Sequence, residues 1–169
     1  VPVAIDKKRG INNGQPSAHA RFMAHLEPRP GETVVHIGAG TGYYTAILSV
    51  LVTPGGRVDA FEVHEDLAAR ARHNLRTFDN VAITTGDATA LRLPETDVIY
   101  VNAGVIRPNL LPDVRQDDLT ELAQLHLGAA ILLVQAALPG MRERRYGRIV
   151  LISSRAALGL PTRTVYSAT

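Results

Sequence analysis

Residues 35–51 read VHIGAGTGYYTAILSVL, an apolar run broken by glycines at positions 38, 40 and 42 that passes directly into a stretch of helical character. Glycines at alternate positions leave a turn bare of side chains, so backbone amides at the start of the next helix can approach a ligand. The residues leading in, TVVHIGAG (33–40), read as a buried strand, and YYTAILSVLV (43–52) as a helix closed by the PGG turn at 54–56. Strand, glycine loop and helix in this order open a parallel α/β sheet, whose ligand belongs beyond the carboxyl ends of the strands.

The same alternation continues outward. RVDAFEV (57–63) reads as a second strand, and a helix follows from His64 to about Thr77. VAITTGD (81–87) and DVIYVNAG (97–104) are short β-branched strands bounded by glycine, aspartate or proline. A long helix is predicted from Asp117 to Arg144, with Asp117 or Asp118 near its cap, and GRIVLISS (147–154) is a last apolar strand. Strands that are nearly continuous in apolar residues belong to a parallel sheet covered on both faces. The prediction is a Rossmann-like three-layer α/β sandwich of strand order 3-2-1-4-5, from right-handed crossovers and one reversal after the third strand. With 169 residues, a single domain over 1–169 is expected.

Composition narrows the chemistry. The absence of cysteine removes thiolate metal sites, thiol nucleophiles and disulfides, so no metal is expected and a reducing, cytoplasmic setting suits the chain. A net charge of +2 is too small to indicate a nucleic-acid partner, and the basic clusters DKKRG (6–10) and MRERRYGR (141–148) mix with acids as solvated surface does. The most apolar window, LGAAILLVQAAL (127–138), falls short of the ~20 residues of a membrane span, and the N-terminal residues do not form a signal-peptide pattern.

Two acids complete the loop. Glu62 ends the second strand and Asp87 the third. A carboxylate can accept hydrogen bonds from two adjacent hydroxyls, as a ribose requires. The alternative reading of the residues is that Glu62 caps the helix beginning near His64 and Asp87 makes a turn. The spacing GxGxG differs from the GxGxxG of dinucleotide folds and the TGxxxGxG of short-chain reductases. The glycine loop with its two acids resembles the class I S-adenosylmethionine-dependent methyltransferases. That resemblance implies S-adenosylmethionine as cofactor, the loop carrying its methionine part, Glu62 its ribose and Asp87 its adenine. The implied cofactor-binding set is His36, Gly38, Ala39, Gly40, Gly42, Tyr43, Glu62, Val63, Asp87, Ala88 and Asn102.

INNGQP (11–16), GETVVHIGAGTGYYTA (31–46) and VIYVNAG (98–104) together resemble the protein-L-isoaspartate O-methyltransferase family over about residues 11–105. The implied activity is O-methylation of a carboxylate on a protein or small molecule. Such a nucleophile needs positioning in line with the methyl group more than it needs a base. Two positions depart from the pattern: Gly14 replaces the serine or threonine usual before the QP pair, and His36 replaces an acid two places before the first loop glycine. His36 reads as a hydrogen-bonded strand-end histidine, or as a group titrating near neutral pH.

Past Gly104 the likeness changes. NAG (102–104), LPGMRERRYGRIVLISS (138–154) and VYSAT (165–169) resemble the C-terminal half of the short-chain dehydrogenase/reductases, which implies NAD or NADP, with Ser154 (Ser153 beside it) and Tyr166 as catalytic residues. Here the Ser154–Tyr166 interval is one residue short, His126 stands where a helix asparagine is usual, and the family's lysine would fall one place past Thr169. Strand-end and loop polarity is the alternative for Ser154 and Tyr166. The leading expectation is thus an S-adenosylmethionine-binding methyltransferase-like protein, with residues 106–169 reductase-like. A nicotinamide-dependent reductase and a non-catalytic recombined or designed module are the alternatives. The apolar helix of residues 117–144 is the expected surface for a homodimer.

Overall fold

A short antiparallel hairpin, β1 (Ala4–Asp6) and β2 (Ile11–Asn12), begins the computed structural model, which describes residues 3–169. Helix α1 (Pro16–Leu26) follows, with Pro16 at a first-turn position that has no use for an N–H. The sequence reading foresaw neither element. β1 and β2 are three and two residues long, too short for alternation to register, and α1 interleaves histidine and arginine with its apolar residues.

The alternating part then runs β3 (Thr33–Ile37), α2 (Tyr43–Leu51), β4 (Arg57–Glu62), α3 (Glu65–Asn74), β5 (Val81–Thr85) and β6 (Val98–Val101). A continuous helical unit comes next: α4 (Gln116–Ala123), a π turn at Gln124–Gly128, and α5 (Ala129–Arg144). β7 (Arg148–Leu151) and the short α6 (Thr164–Ala168) end the chain. Four strands stop two or three residues before the stretches expected for them. Pairing ends at Ile37, Thr85, Val101 and Leu151, and in two cases a glycine of positive φ soon follows: Gly38 at +80° and Gly86 at +143°. The residues cut off are the ones that shape the site.

The sheet order is β5-β4-β3-β6-β7 with every neighbour parallel, which is 3-2-1-4-5 counted within the sheet. On one face Val34, Val58, Ala60, Val98 and Tyr100 pack against Met23 and Leu26 of α1 and Leu48 and Val52 at α2. On the other, Val35, Ile37, Phe61, Ile99 and Val101 meet Leu133, Ala137 and Met141, which recur every four residues along α5. Between β5 and β6 the chain forms a loop in place of a covering helix, and Ala88 and Leu93 fill in for one. Beneath this loop opens a cleft of about 510 Å³ lined by Asp59, Phe61, Thr84, Arg92 and Glu95. It lies on the sheet face covered by α5.

The unit Gln116–Arg144 corrects one sequence expectation. At 29 residues it is long and apolar enough, by length and composition, to cross a membrane. The 127–138 window understates it because all of residues 122–141 lack Asp, Glu, Lys and Arg. Here Leu133, Ala137 and Met141 cover the sheet while Leu127, Ile131 and Leu132 are exposed.

At the amino ends of the strands, buried Glu32 closes the sheet. Its Oε1 accepts from the Tyr146 hydroxyl and the Arg148 guanidinium, and its Oε2 from the Arg29 amide at 2.7 Å. Arg148 also donates to the Leu26 carbonyl at 2.8 Å, joining β7 to the end of α1.

Candidate functional site

The glycine loop leaves the central strand at the carboxyl edge, between β4 and β6, where the sheet order reverses. Gly38, Gly40 and Gly42 all hold positive φ (+80°, +57° and +90°), but for different reasons. A β-carbon on Gly38 would stand 2.8 Å from the Ala103 amide nitrogen, and one on Gly42 2.7 Å from Cδ1 of Leu75. Those two glycines let β3 lie against the end of β6 and α2 against α3. At Gly40 the nearest atom to such a carbon is Ile5 Cδ1, at 3.3 Å. Gly40 is therefore the glycine that faces the crevice, with the N-terminal hairpin above it.

Most loop amides are already engaged. Gly38 and Ala39 both donate to the Phe61 carbonyl (2.9 and 3.0 Å), Gly42 to Ala39 (2.9 Å), and Asn102 to Ile37 (2.9 Å). The start of α2 has no side-chain cap, so its first-turn amides have no intrahelical acceptor. A negatively polarised ligand group fits there. Asn74 Nδ2 donates to the Thr41 carbonyl at 2.9 Å and steadies the loop from α3. Sequence reasoning missed it; an asparagine ending an otherwise helix-favouring segment was the available signal.

Glu62 is the centre of the arrangement. It is 6% exposed, and its two oxygens accept separately, one from the Gly40 amide at 2.8 Å and the other from His64 at 3.0 Å. It thereby ties loop to strand end, and it touches only the N-cap residue of α3, leaving that helix's first-turn amides uncapped. Each oxygen keeps a second lone pair, the acceptor set a ribose diol requires. Val63, next in the chain, and Tyr43, the first residue of α2, are 61% and 51% exposed, apolar surface open to a ligand.

The structure also brings Asp87 and Asn102 to this edge. The Gly86 amide donates to the Glu62 carbonyl at 3.0 Å, which brings the next residue, Asp87, alongside Glu62. The Asp87 carboxylate accepts from the Thr89 amide (2.9 Å) and hydroxyl (2.8 Å), so it makes the turn that was its alternative reading, while its side chain stays exposed. Ala88 is buried beneath, on the sheet face.

His36 does not belong to the set, which corrects the sequence reading. Its side chain is fully buried on the α2 face, Nδ1 lies 2.9 Å from Thr45 Oγ1, and the ring meets Tyr100 edge-on at 5.6 Å. Nε2 is buried without a partner, and burial pushes the imidazole pKa down to about 3, far from neutral titration. An odd-even slip explains the error: residues 34 and 36 share one face of β3 and neither points along the strand to its end.

The reductase candidates follow β7 along the same end of the sheet, and each is engaged structurally. Ser154 Oγ accepts from the Ala156 amide at 3.2 Å, capping a 3-10 turn, and the Tyr166 ring packs edge-on against His126 with centroids 5.5 Å apart. His126 Nε2 accepts from the Val105 amide (3.3 Å) and its Nδ1 faces Thr169 Oγ1 (2.9 Å), so the π turn holds the residues after Asn102 in place. Among the described residues no group of three His, Asp or Glu is placed to hold a metal ion.

Comparison with known proteins gives two likenesses. A family model described as protein-L-isoaspartate(D-aspartate) O-methyltransferase matches residues 2–118. The protein-L-isoaspartate O-methyltransferase of Aeropyrum pernix is 47% identical over 74 residues, 41% of this chain and 28% of that protein. The one from Methanopyrus kandleri is 38% identical over 127 residues, 70% of this chain and 54% of that protein. The chain thus spans about half, or less, of the length of these curated relatives. A solved protein-L-isoaspartate O-methyltransferase superposes with a TM-score of 0.56 at 30% identity, over 62% of this chain and 34% of its own. A betaketoacyl-ACP reductase crystal structure superposes with a TM-score of 0.71 at 24% identity, over 83% and 62%, a likeness of fold alone.

Proposed function

This chain belongs to the protein-L-isoaspartate(D-aspartate) O-methyltransferase family, and from that premise we propose that it transfers a methyl group from S-adenosylmethionine, the cofactor of the family, to the carboxylate of an isoaspartyl or D-aspartyl residue. The observation that carries the reading is Glu62, fixed by the Gly40 and His64 amides at the crevice with acceptor capacity to spare. When bound, S-adenosylmethionine supplies an electrophilic methyl group on a sulfonium. Every other task falls to the chain. Gly40 admits the ligand to the loop backbone, Glu62 accepts from the ribose hydroxyls, and Val63 and Tyr43 shield the adenosine from water. Asp87 and Asn102 border the same edge. Because the acceptor is already an anion, the chain has only to hold it in line with the methyl group.

We further infer that residues 1–169 fold as one unit, and that residues 106–169 share the scaffold of the reductases without their chemistry. The reductase superposition supports the scaffold. The Ser154 and Tyr166 contacts, one a turn cap and the other a packing contact, support the lack of chemistry.

Calorimetry against S-adenosylhomocysteine and NADPH, paired with mass spectrometry of an isoaspartyl peptide incubated with S-adenosylmethionine, tests the proposal. The expected result is tighter binding of S-adenosylhomocysteine than of NADPH and a peptide gain of one methyl ester. Tighter NADPH binding would overturn it.

A further inference from the structure

We propose that His19 is a positioning residue that fixes the identity of residue 14 and through it selects the methyl acceptor, an inference that rests on the carboxylate-methylating reading above. Gly14 precedes the QP pair, at the position where the chain departs from its family's pattern. It holds φ +66°, and its amide donates to Asn12 Oδ1 at 2.8 Å. A β-carbon built there would stand 2.3 Å from Nε2 of His19 and 3.0 Å from Cδ2. No side chain fits beside the imidazole as it stands.

The ring cannot simply swing aside. His19 is 2% exposed, its Nδ1 lies 2.7 Å from the Tyr100 hydroxyl, and it stacks on Tyr44 with centroids 4.0 Å apart and planes 19° from parallel. Phe22 closes one edge at 6.1 Å. Tyr44 is the second residue of α2, directly behind the glycine loop, and Tyr100 lies two residues before Asn102 on β6. The imidazole therefore locks the residue-14 segment to both walls of the crevice. It is neutral near pH 7, since burial holds its pKa at about 4. The volume a residue-14 side chain would occupy holds a polar ring edge carried by α1. With the Asn13 and Gly14 amides already donating to the Val3 carbonyl and Asn12 Oδ1, position 14 offers an acceptor neither a hydroxyl nor a free amide.

A double-mutant cycle of Gly14→Ser, His19→Ala and the pair tests this, read by thermal midpoint, S-adenosylhomocysteine affinity, and kcat and KM for an isoaspartyl peptide. Gly14→Ser alone should lower the midpoint by about 5 °C. It should raise the acceptor KM about tenfold while S-adenosylhomocysteine affinity stays within about twofold. With His19→Ala in place, the same serine should cost less than about half as much in both readouts. Positive φ strains the serine equally in either background. Equal cost in both would therefore trace the glycine to backbone strain alone and overturn the proposal. A coupled midpoint with an unmoved acceptor KM would confine His19 to folding and equally overturn its role in selection. Absence of peptide methylation by the unaltered chain would sink the acceptor reading itself, and the midpoint coupling would still decide the His19–Gly14 pair.

Discussion

Both terminal nitrogens of Arg9 reach the carboxylate of Asp66, at 2.9 and 2.5 Å, across 57 residues of chain. Arg9 lies between the two strands of the N-terminal hairpin, where its Nε also meets Asp6 at 2.8 Å, and Asp66 lies in the first turn of α3. Ile5 of the same hairpin is the nearest neighbour on the open side of Gly40. The bidentate fork straps the hairpin across the glycine loop, and the guanidinium holds the Asp66 carboxyl below its usual pKa.

Arg9→Ala should therefore speed S-adenosylhomocysteine release by about three- to tenfold while changing the thermal midpoint little, because both partners are substantially solvent-exposed. Stopped-flow displacement measures the release rate. Salt should raise it in the unaltered chain and much less in the variant. A rate indifferent to both would show that the hairpin does not gate the crevice.

Glu62→Ala should weaken S-adenosylhomocysteine by about 1–3 kcal/mol, the range for losing hydrogen bonds to a charged group. Calorimetry at constant pH is the check. Unchanged affinity would reduce Glu62 to its two observed contacts, the amides of Gly40 and His64.

Much of this was legible in sequence because parallel strands announce themselves: Val34, Val35, Val58, Val98 and Ile99 are all fully buried, and apolar residues dominate their strands. The glycine loop and Glu62 were legible because no ordinary turn needs that spacing. What stayed hidden depends on tertiary partners. The hairpin of Ala4–Asn12 is short and strongly polar at its turn, and it is held by Asp66 from another element. The His19–Gly14 pair meets only once α1 turns back on its own leader. His36 was misplaced because its residue type suggested chemistry, while its register in β3 turned it inward.

Acid should destabilise the protein in a definite window. His19 and His36 have folded pKa values near 4 and 3, both below the 6.5 of an unburied imidazole, and burial is the main cause in each. The unfolded chain therefore takes up protons first, and the stability these groups contribute is intact above pH 6.5 and lost as pH falls from there toward 4 and 3. The midpoint should decline through that range, and His36→Leu should flatten part of the decline while costing about 1–3 kcal/mol near neutrality, since buried Thr45 Oγ1 loses its Nδ1 partner although Nε2 has none. Thermal melts from pH 7 to pH 4 would decide it; an identical slope in the variant would place the acid sensitivity elsewhere.

No carbonyl reductase turnover is expected. Placing a nicotinamide beside Tyr166 needs a loop of reductase spacing, and this loop has another. Glu62 at the crevice would also repel a 2′-phosphate. NADPH oxidation with a panel of ketones and quinones, run beside Tyr166→Phe, is the assay. Turnover that vanishes in the control would reverse the ranking of the two families.

The clamp of Glu32, Tyr146 and Arg148 sits at the end of the sheet opposite the crevice. A fan pinned at its handle spreads only at its rim, and β3, β6 and β7 are pinned in this way. Near the handle, Asp97 trades bonds with Thr33 and takes the Arg148 amide at 2.9 Å; at the rim, single amides from Asn102 and Ile152 close the gaps. Slow breathing of the molecule is thereby directed to where a ligand must enter, and amide exchange at Asn102 and Ile152 should outpace that at Asp97 and Arg148. The fold stores its rigidity at one pole so that the other can open without unravelling the sheet.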